Sequence, residues 1–330
     1  MSFLWRSRVF IEKRIVEAKI RAKWIADSRV LPLQAEHYQL YLTLHLLCLR
    51  ELGSFPSLSN CRDFNDRIQW LKLFDQDREV VRCSDKLGVR ERIGERLGGN
   101  SLAKVFQVAS QFSHINFDDL PDRFVIKANH DSGTVQVVRD KSLLDLEAAE
   151  ARFDRALRRA YGWSNGEWAY AYVKPKIFVE EYLEDPVGSP ADYKFYVVEG
   201  SVRFCHFIYD RHVQAKEQVI DLDGTDMGLE LYPSFPYGSA FSKPLQWLEM
   251  IAAAEAVGRG FKCVRVDLYL VGDRIIVGEM TFWPMAGHYK GSGQKVLGQL
   301  LDFDRTTFKP FLIPTLEAEQ SRFSLYSEGL

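Results

Sequence analysis

Two acidic residues stand inside apolar, β-branched segments in the last third of the chain. Asp267 lies in CVRVDLYL and Glu279 lies in RIIVGEMTF, and carboxylates are rare in strands of this composition. Because side chains alternate between the two faces of a strand, these carboxylates lie opposite each other only if the hairpin pairs symmetrically about Asp273. We expect a three-residue loop, Gly272–Asp273–Arg274, because a two-residue loop would send the carboxylates to opposite faces.

Two carboxylates a few ångströms apart repel each other unless a positive group lies between them. A divalent cation with oxygen ligands satisfies both, and magnesium is usually shared with substrate phosphates. The Thr281 hydroxyl lies on the same face as Glu279 and could join such a site. The alternative is a surface hairpin in which Asp267 bonds Arg265 or Arg274, and these residues alone leave both interpretations open.

A second segment, RFVIKANHDSGTVQVV, could supply the phosphate side of such a site. Lys127 is charged within a strand whose neighbours face the other way, and the strand runs into HDSG, a loop whose amides could wrap phosphate oxygens. One glycine does not make a Walker motif, so a lysine at a sheet edge is the alternative. Further on, the backbone of IFVEEYLEDP could present hydrogen-bonding groups to an adenine edge, or form a solvated loop.

The elements that must position these residues change character along the chain. Up to about residue 120 the pattern is helical, with helices expected over residues 3–27 and 34–51, in FNDRIQWLKLFD and in DKLGVRERIGERLGG. From Pro121 onward strands predominate, separated by helices over 142–160 and in PLQWLEMIAAAEAVGRG. Glu199-Gly200 is a typical two-residue hairpin turn, and residues 212–242 are expected to be loop-rich. Helices packed on mainly antiparallel strands predict an α+β protein.

Composition excludes several classes of protein. The 330 residues are 46% apolar and 27% charged with a net charge of −2, which gives no whole-molecule electrostatic case for a nucleic-acid partner. Five cysteines without a CxxC pair argue against a disulfide framework or structural zinc and for a reducing compartment. No apolar run reaches the roughly 20 residues that span a bilayer, and no signal-peptide pattern is present. We expect a cytoplasmic protein.

The amino-terminal helix is basic. Over residues 1–29, eight lysines and arginines stand against three acidic residues, with apolar side chains interspersed. Such a helix could lie on an anionic membrane as a peripheral contact. The alternative is a solvated helix packed on the body of the protein or on a partner.

In order, the motifs resemble those of one enzyme family. The succession is FNDRIQWLK, Asp85-Lys86, FVIKANHDSG, EEYL, DYKFYVVEG, RVDLYL and GEMTFWP, between about residues 62 and 300. It is similar to the TupA-like ATP-grasp family of bacterial surface-polysaccharide gene clusters and, more distantly, to D-alanine–D-alanine ligases. The resemblance implies an ATP-grasp fold of two α+β lobes gripping ATP: an N-terminal helical region at 1–120 that includes the basic helix 1–30, a small lobe at 121–184, and a large lobe with the metal site at 185–330.

The resemblance also implies site residues, with ATP and Mg²⁺ as cofactors. Nucleotide-binding positions would be Lys86, Lys127, His130, Ser132, Gly133, Thr134, Glu180, Glu181, Leu183 and Asp192, with residues 130–134 as the phosphate lid. Asp267, Glu279 and Thr281 would hold magnesium. Arg265 would stabilise developing tetrahedral charge, and Lys194 and Arg211 would contact the γ-phosphate or the acceptor carboxylate.

Two positions depart from the family pattern. The lid reads HDSG where the family has HGSG, so Asp131 adds negative charge near the expected phosphates and removes backbone freedom. Thr281 stands where ligases more typically have asparagine, although threonine is usual in the TupA-like group. The first departure bears on ATP affinity, and the second does not.

The implied activity is a ligase that joins a small-molecule or glycan carboxylate to an amine or amino acid through an acyl phosphate, in surface-polysaccharide synthesis. One alternative is an ATP-grasp phosphotransferase that stops at a phosphorylated product. Another is a glycosyltransferase, because Asp221-Leu222-Asp223 forms a DxD sequence that could hold a metal–nucleotide-sugar complex. A third is a non-catalytic adaptor that keeps the fold. Oligomeric state does not follow from the sequence.

Overall fold

Aspartates immediately before several helices fix where those helices begin. The computed structural model describes residues 3–184, 190–210 and 213–317, and it describes side chains from residue 13 onward. Asp63 accepts a hydrogen bond from the Asp66 amide at the start of one helix. Asp145 does the same for the Ala148 amide at another. The helices are α1 (Phe3–Asp27), α2 (Tyr38–Leu52), α3 (Phe64–Phe74), α4 (Arg78–Ser84), α5 (Val89–Leu97), α6 (Leu146–Leu157), α7 (Trp247–Gly258) and α8 (Gln294–Leu300).

The strands form two antiparallel sheets. They are β1 (Val105–Ala109), β2 (Phe124–Ala128), β3 (Val135–Val138), β4 (Ile177–Glu181), β5 (Asp192–Val198), β6 (Ser201–Tyr209), β7 (Lys216–Ile220), β8 (Cys263–Val271) and β9 (Arg274–Thr281). One sheet has the order β1-β4-β2-β3 and the other β7-β6-β5-β8-β9. Every strand pair within them is antiparallel. The α+β class predicted from the sequence is confirmed.

Two strands lie where the sequence predicts other structure. β1 falls within the region expected to be helical to about residue 120, and it pairs with β4 at the edge of the four-stranded sheet. β7 falls within the segment expected to be loop-rich and forms an edge of the five-stranded sheet. Both expectations were wrong for a related reason: these short edge strands lack the long apolar run that marks a central strand, and β7 begins with polar residues of which Glu217 and Gln218 are buried.

The hairpin between β5 and β6 has the predicted turn. Val198 pairs with Ser201, so Glu199 and Gly200 form a two-residue loop. Their φ angles are 49° and 84°, the left-handed values that this kind of turn needs. β5 lies in the middle of the five-stranded sheet, and it carries the polar residues Asp192 and Lys194 of the candidate site.

Two separate hydrophobic cores lie under the two sheets. The larger core joins the amino-terminal helices to the five-stranded sheet, with Trp70, Trp168, Trp247 and Tyr41 among its fully buried side chains. The smaller core lies between the four-stranded sheet and α6, around Phe153. The boundaries at 120 and 184 stay predictions, but the helices before α4 share their core with the five-stranded sheet.

The carboxyl-terminal part of α1 packs against α2. Ile20 is fully buried, and the Trp24 ring meets the rings of Tyr38 and Tyr41 edge-on at 5.2 and 4.9 Å. The Tyr41 hydroxyl donates a hydrogen bond to Asp27 at 2.8 Å. This half of the basic helix therefore packs on the body of the protein, and the membrane contact of residues 1–29 stays a prediction. Among the described residues, no helix is both long and apolar enough to cross a membrane.

Candidate active site

The β8–β9 hairpin brings Asp267 opposite Glu279, as expected, but by a different route. Its turn has two residues, because Val271 pairs with Arg274. The register then shifts between Asp267 and Leu268, where Gly278 is the additional residue of a β-bulge. The predicted three-residue loop is therefore wrong. The bulge adds back the one residue that the shorter turn removes, and so returns both carboxylates to one face.

A network of buried charges joins the neighbouring strands β5 and β8 at this level. Lys194 on β5 pairs with Asp267 on β8, and its ammonium also lies 3.2 Å from an Asp192 oxygen. Arg265 donates to both oxygens of Asp267, at 2.6 Å from Nε and 2.8 Å from Nη2. All four side chains are less than a tenth exposed. Burial alone would raise the pKa of Asp267, but Arg265 and Lys194 hold it below its ordinary value.

Arg265 also reaches the second carboxylate. Its Nη2 lies 3.3 Å from Glu279 Oε1 and donates to the Thr281 hydroxyl at 3.0 Å. The positive group between Asp267 and Glu279 is therefore a guanidinium, which is the alternative that the sequence left open. The Glu279 side chain keeps about one-third of its surface exposed, 35%.

The oxygen donors here fit a magnesium ion shared with phosphates. Glu279 is partly open, and Asp267 Oδ1 accepts one hydrogen bond, from Arg265, so it keeps a lone pair. Among the described residues there is no group of three or more His, Cys, Asp or Glu side chains placed to hold a metal alone. Magnesium commonly binds through one or two carboxylates together with substrate phosphates, and this donor set matches that mode.

Lys86 connects the two sheets. Its ammonium lies 3.7 Å from Glu279 Oε2 and donates to the carbonyl oxygen of Asp131 in the β2–β3 loop. The loop is fixed in turn by Asn129, whose amide donates to Asp85 at 2.8 Å and whose backbone carbonyl accepts from the Lys86 amide at 3.1 Å. The Asp85-Lys86 pair thus links the β2–β3 loop to Glu279 on the five-stranded sheet. We call Asp192, Asp267 and Glu279, which lie on the neighbouring strands β5, β8 and β9, the acidic row.

Lys127 extends from the four-stranded sheet and pairs with Glu180 on the neighbouring strand. Their charged atoms lie 2.5 Å apart, and the side chains are 19% and 10% exposed. Arg90 approaches the other oxygen of Glu180 at 4.0 Å. The carboxylate of Glu180 is thus directed to Lys127, and the expected contact of the Glu180 backbone with an adenine edge stays a prediction.

The β2–β3 loop is only partly arranged as expected. The His130 side chain is buried, donates to the Ala156 carbonyl at 3.1 Å and has a pKa lowered by burial, so it points away from the cleft. Asp131 accepts from the Thr134 hydroxyl at 2.5 Å. Ser132 and Gly133, the latter at φ 97°, remain at the cleft. The lid side chains that face the cleft are therefore those of Asp131 and Ser132.

A cavity of about 1060 Å³ lies between the two sheets. It is lined by most of the predicted site residues: Lys86, Lys127, Ser132, Gly133, Glu180, Glu181, Leu183, Asp192, Lys194, Arg265, Asp267, Glu279 and Thr281. His130 and Thr134 do not line it. Arg211 lies outside the described residues.

Other cavity residues were not predicted from the sequence. Many come from the segment 161–170, which includes Glu167 and Tyr170, and from the loop after β9, which includes Met285 and His288, and others come from the end of α2 and from residues 231–234. The DxD residues Asp221 and Asp223 do not line this cavity. Asp221 accepts a hydrogen bond from the Thr225 amide at 2.7 Å in a tight turn after β7.

A family model described as TupA-like ATPgrasp matches residues 66–301. The chain belongs to the TupA-like ATP-grasp family. The match covers both sheets and the Lys86, Lys127, Asp267 and Glu279 positions, so the ATP-grasp fold predicted from the sequence is confirmed. No curated protein matches this chain.

Solved structures of ATP-grasp ligases resemble this TupA-like chain at low identity. D-alanine–D-alanine ligase from Bacillus anthracis has 18% identity and a TM-score of 0.37, covering 71% of this chain and 62% of that one. L-amino acid ligase from Bacillus licheniformis has 16% identity and a TM-score of 0.39, covering 75% and 49%. The chain thus spans less than two thirds of either ligase, and likenesses of this size identify neither a substrate nor a reaction.

Proposed function

We propose that this protein is an ATP- and magnesium-dependent carboxylate–amine ligase that works through an acyl phosphate. Its substrates would be a carboxylated sugar or glycan and an amino acid or amine, joined during synthesis of a bacterial surface polysaccharide. Family membership supports the ATP-grasp chemistry. The choice of substrates follows the setting in which the family occurs.

The observation that carries the proposal is the position of Lys86. One ammonium contacts the β2–β3 loop of one sheet and the acidic row of the other. Nucleotide phosphates held by that loop would meet Lys86, Lys127 and the carboxylates of Asp267 and Glu279 in one cavity. Such convergence of lysines and carboxylates suits phosphoryl transfer, in which positioning and charge neutralisation do most of the catalysis.

The remainder of the nucleotide has suitable surroundings on both sheets. Val125, Val135 and Val137 give the four-stranded sheet an apolar face toward the cavity, where an adenine ring would lie. The strand end at Glu181–Leu183 would meet the edge of the ring, and Asp192 would take ribose hydroxyls. The adenine ring would therefore pack on aliphatic side chains, and the triphosphate would lie beside the lysines. The residues that line the cavity support this arrangement.

In the reaction, Lys86 and Lys127 would neutralise the phosphate oxygens while a carboxylate oxygen attacks the γ-phosphorus. A magnesium ion held by Asp267 and Glu279, with the Thr281 hydroxyl beside them, would supply further positive charge to the transferring phosphoryl group. Arg265 is fixed by Asp267 and faces the cavity, so it would stabilise the oxyanion formed when an amine adds to the acyl phosphate.

The test measures ADP and phosphate together. Purified protein would be incubated with MgATP and a pool of the standard amino acids, with and without glucuronic and galacturonic acids. A ligase releases ADP and phosphate in equal amounts and needs both a carboxylate and an amine. The variant Lys86→Met should lose this activity, whereas Lys104→Met, an exposed lysine outside the cavity, should retain it.

Other outcomes would contradict the proposal. ADP without released phosphate, and without an amine requirement, would identify a phosphotransferase. Turnover of a nucleotide sugar without ADP formation would identify a glycosyltransferase, although the DxD residues do not line the cavity.

A further inference from the structure

Part of the cavity lining comes from residues to which we assign no contact with the nucleotide. We call this part of the cavity the far pocket; it is bounded by the segment 161–170 and by the loop 284–290 that follows β9. Because the loop continues directly from the strand that carries Glu279, the far pocket begins beside the acidic row. It is therefore placed to hold the group that reacts after phosphoryl transfer.

Glu167 is a carboxylate of the far pocket. The residue is only 7% exposed and it lines the cavity. Its carboxylate accepts a hydrogen bond at 3.5 Å from Asn165, which is too long to satisfy a buried charge. Burial raises the pKa of Glu167, and the nearby ammonium of Lys72 acts in the opposite direction. A buried carboxylate with raised basicity and little hydrogen bonding is suited to take up a proton.

Lys72 holds together the two segments that bound the far pocket. It extends from α3, is completely buried, and donates to the backbone carbonyls of Asn165 at 2.9 Å and Ala286 at 2.8 Å. Burial lowers the pKa of Lys72 to about 8. Both of these hydrogen bonds go to backbone, so Lys72 joins the two walls of the far pocket and acts on Glu167 only through its charge.

The loop 284–290 is strained where it forms the other wall. Met285 and Ala286 have φ angles of 51° and 52°, which are unusual for residues with a side chain. Gln69 on α3 holds the turn by donating to the carbonyls of Ala286 and Gly287, each at 3.0 Å. A strained turn held by buried side chains indicates that the shape of this wall is maintained at an energetic cost.

Tyr170 lines the cavity together with Glu167 and Glu279. Its pKa is raised by burial and by the negative charges of these two carboxylates. Glu167 therefore lines the same cavity as the carboxylates proposed to hold magnesium.

We propose that Glu167 binds the ammonium group of the amine substrate and removes the proton that must leave before attack. This inference depends on the proposed ligase function. The ammonium gives one proton to the Glu167 carboxylate, and the free nitrogen forms a bond to the acyl carbon. The bond from that carbon to the phosphate oxygen then breaks, its electron pair stays on the phosphate, and the second nitrogen proton passes to the released phosphate.

The competing explanation is that Glu167 only balances the charge of Lys72. In that case the substitution Glu167→Gln would impair folding or both half-reactions alike. A base for the amine affects the second half-reaction alone, so the two half-reactions must be measured separately. Hydroxylamine makes this possible, because it is unprotonated at neutral pH and captures an acyl phosphate without needing a base.

The experiment compares wild type with Glu167→Gln and Glu167→Asp, using MgATP and the carboxylate pool. Product is measured as hydroxamate with hydroxylamine and as amide with amino acids. We expect Glu167→Gln to form hydroxamate at a rate near wild type and to lose amide formation by at least about 100-fold, the usual contribution of a general base. Glu167→Asp should recover part of the amide rate. Glu249→Gln, which changes an exposed glutamate on α7, is the control for the substitution itself.

A pH series gives a second readout. Raising the pH frees the amine in solution, so the amide rate of Glu167→Gln should rise toward wild type as the amine loses its proton. The groups that titrate or carry charge around Glu167 are Lys72 on α3 and Tyr161 and Tyr170 on its own segment, with His288 of the loop 284–290 near Lys72. All are retained in the variant, so only the loss of Glu167 distinguishes the two profiles.

The possible failures are distinguishable. Equal loss of hydroxamate and amide in Glu167→Gln, or unchanged amide formation, would overturn the role of Glu167 while leaving the ligase intact. A wild-type protein that forms neither hydroxamate nor ADP with any carboxylate of the pool would contradict the proposed function itself.

Discussion

On the five-stranded sheet, Arg265, Lys194 and Asp267 are almost fully buried and join in one network across neighbouring strands. On the four-stranded sheet, Lys127 and Glu180 form a smaller pair in which the lysine side chain is 19% exposed. The cores beneath differ in the same way: one is large and shared with the amino-terminal helices, and the other is small. The comparison teaches that one wall of the cavity is fixed in advance, whereas the other can adjust to its ligand.

The largest effect should come from breaking the fixed network. Asp267→Asn leaves the buried charges of Arg265 and Lys194 without their carboxylate, which should cost about 3–5 kcal/mol of the free energy of unfolding. ADP formation should fall by about 1000-fold, because the guanidinium and the metal would lose their anchor.

Urea unfolding and ADP release measure the two effects. The matched control is Asp273→Asn in the exposed turn of the same hairpin, where little change is expected. Equal stability of the two variants would contradict the view that this wall is fixed by its charges.

The next effect tests the helices that share the large core. His45 on α2 is fully buried, donates to the Tyr41 carbonyl at 2.8 Å, and has a pKa lowered by burial from 6.5 to about 4. Between those values the unfolded chain binds a proton that the folded chain does not, so stability falls as pH falls through this window. The part of this loss due to His45 should reach about 3 kcal/mol at pH 4, and His45→Gln should remove that part while leaving the part due to His288, whose pKa burial also lowers to about 4.

Unfolding free energies at pH 7 and near pH 4 provide the measurement. His114→Gln changes an exposed histidine beside the four-stranded sheet and should keep the wild-type acid sensitivity. If His45→Gln lost stability in acid as wild type does, the buried histidine would not be the cause.

A smaller effect on stability is expected at the adjustable wall. Lys127→Met removes the nearer cation of Glu180, which is itself only 8% exposed and keeps Arg90 at 4.0 Å, so it should cost about 1–3 kcal/mol of the free energy of unfolding. ATP binding should weaken by about 10- to 100-fold, corresponding to one charged hydrogen bond. Calorimetric titration with MgATP measures the affinity. Lys104→Met, which changes an exposed lysine immediately before β1, should bind as wild type does. A loss of stability in Lys127→Met as large as that of Asp267→Asn would contradict the contrast between the walls.

The smallest effect concerns the bulge. A Cβ added at Gly278 would lie 2.7 Å from a ring carbon of Tyr269. The ring can move away, so Gly278→Ala should cost about 1 kcal/mol, at the low end of overpacking effects. The same change at Gly94, a helical glycine with open space around it, should stabilise by up to about 1 kcal/mol. Thermal unfolding of both variants checks the opposite signs.

Part of this site could be predicted from the sequence because period-two alternation identifies which strand residues share a face. That argument brought Asp267 and Glu279 together and separated them from the apolar face. The length of the turn was predicted wrongly. One extra residue in the turn or one bulged residue within a strand restores the same alternation, and a bulge at a glycine leaves no side-chain pattern in the sequence.

The far pocket could not be predicted in the same way. Asn65, Gln69 and Lys72 share one face of α3, and a polar face normally indicates solvent. In the structure that face is buried and its amides and ammonium bind the backbone of residues 286–289. The sequence did not indicate this burial because the hydrogen-bond partners of these side chains are backbone carbonyls more than 200 residues away. Backbone carbonyls are present at every residue and so leave no pattern in a sequence.

The turn that Gln69 and Lys72 hold has a consequence for diversification. Its carbonyls accept hydrogen bonds from α3, a helix in the amino-terminal half of the chain, whereas the proposed nucleotide contacts lie on strands of the two sheets. A substitution in α3, or in the α2 side chains that lie against Gly166, would change the shape of the far pocket through one direct contact. Relatives could thus exchange one amine for another by editing helices while their phosphoryl chemistry stays as it was.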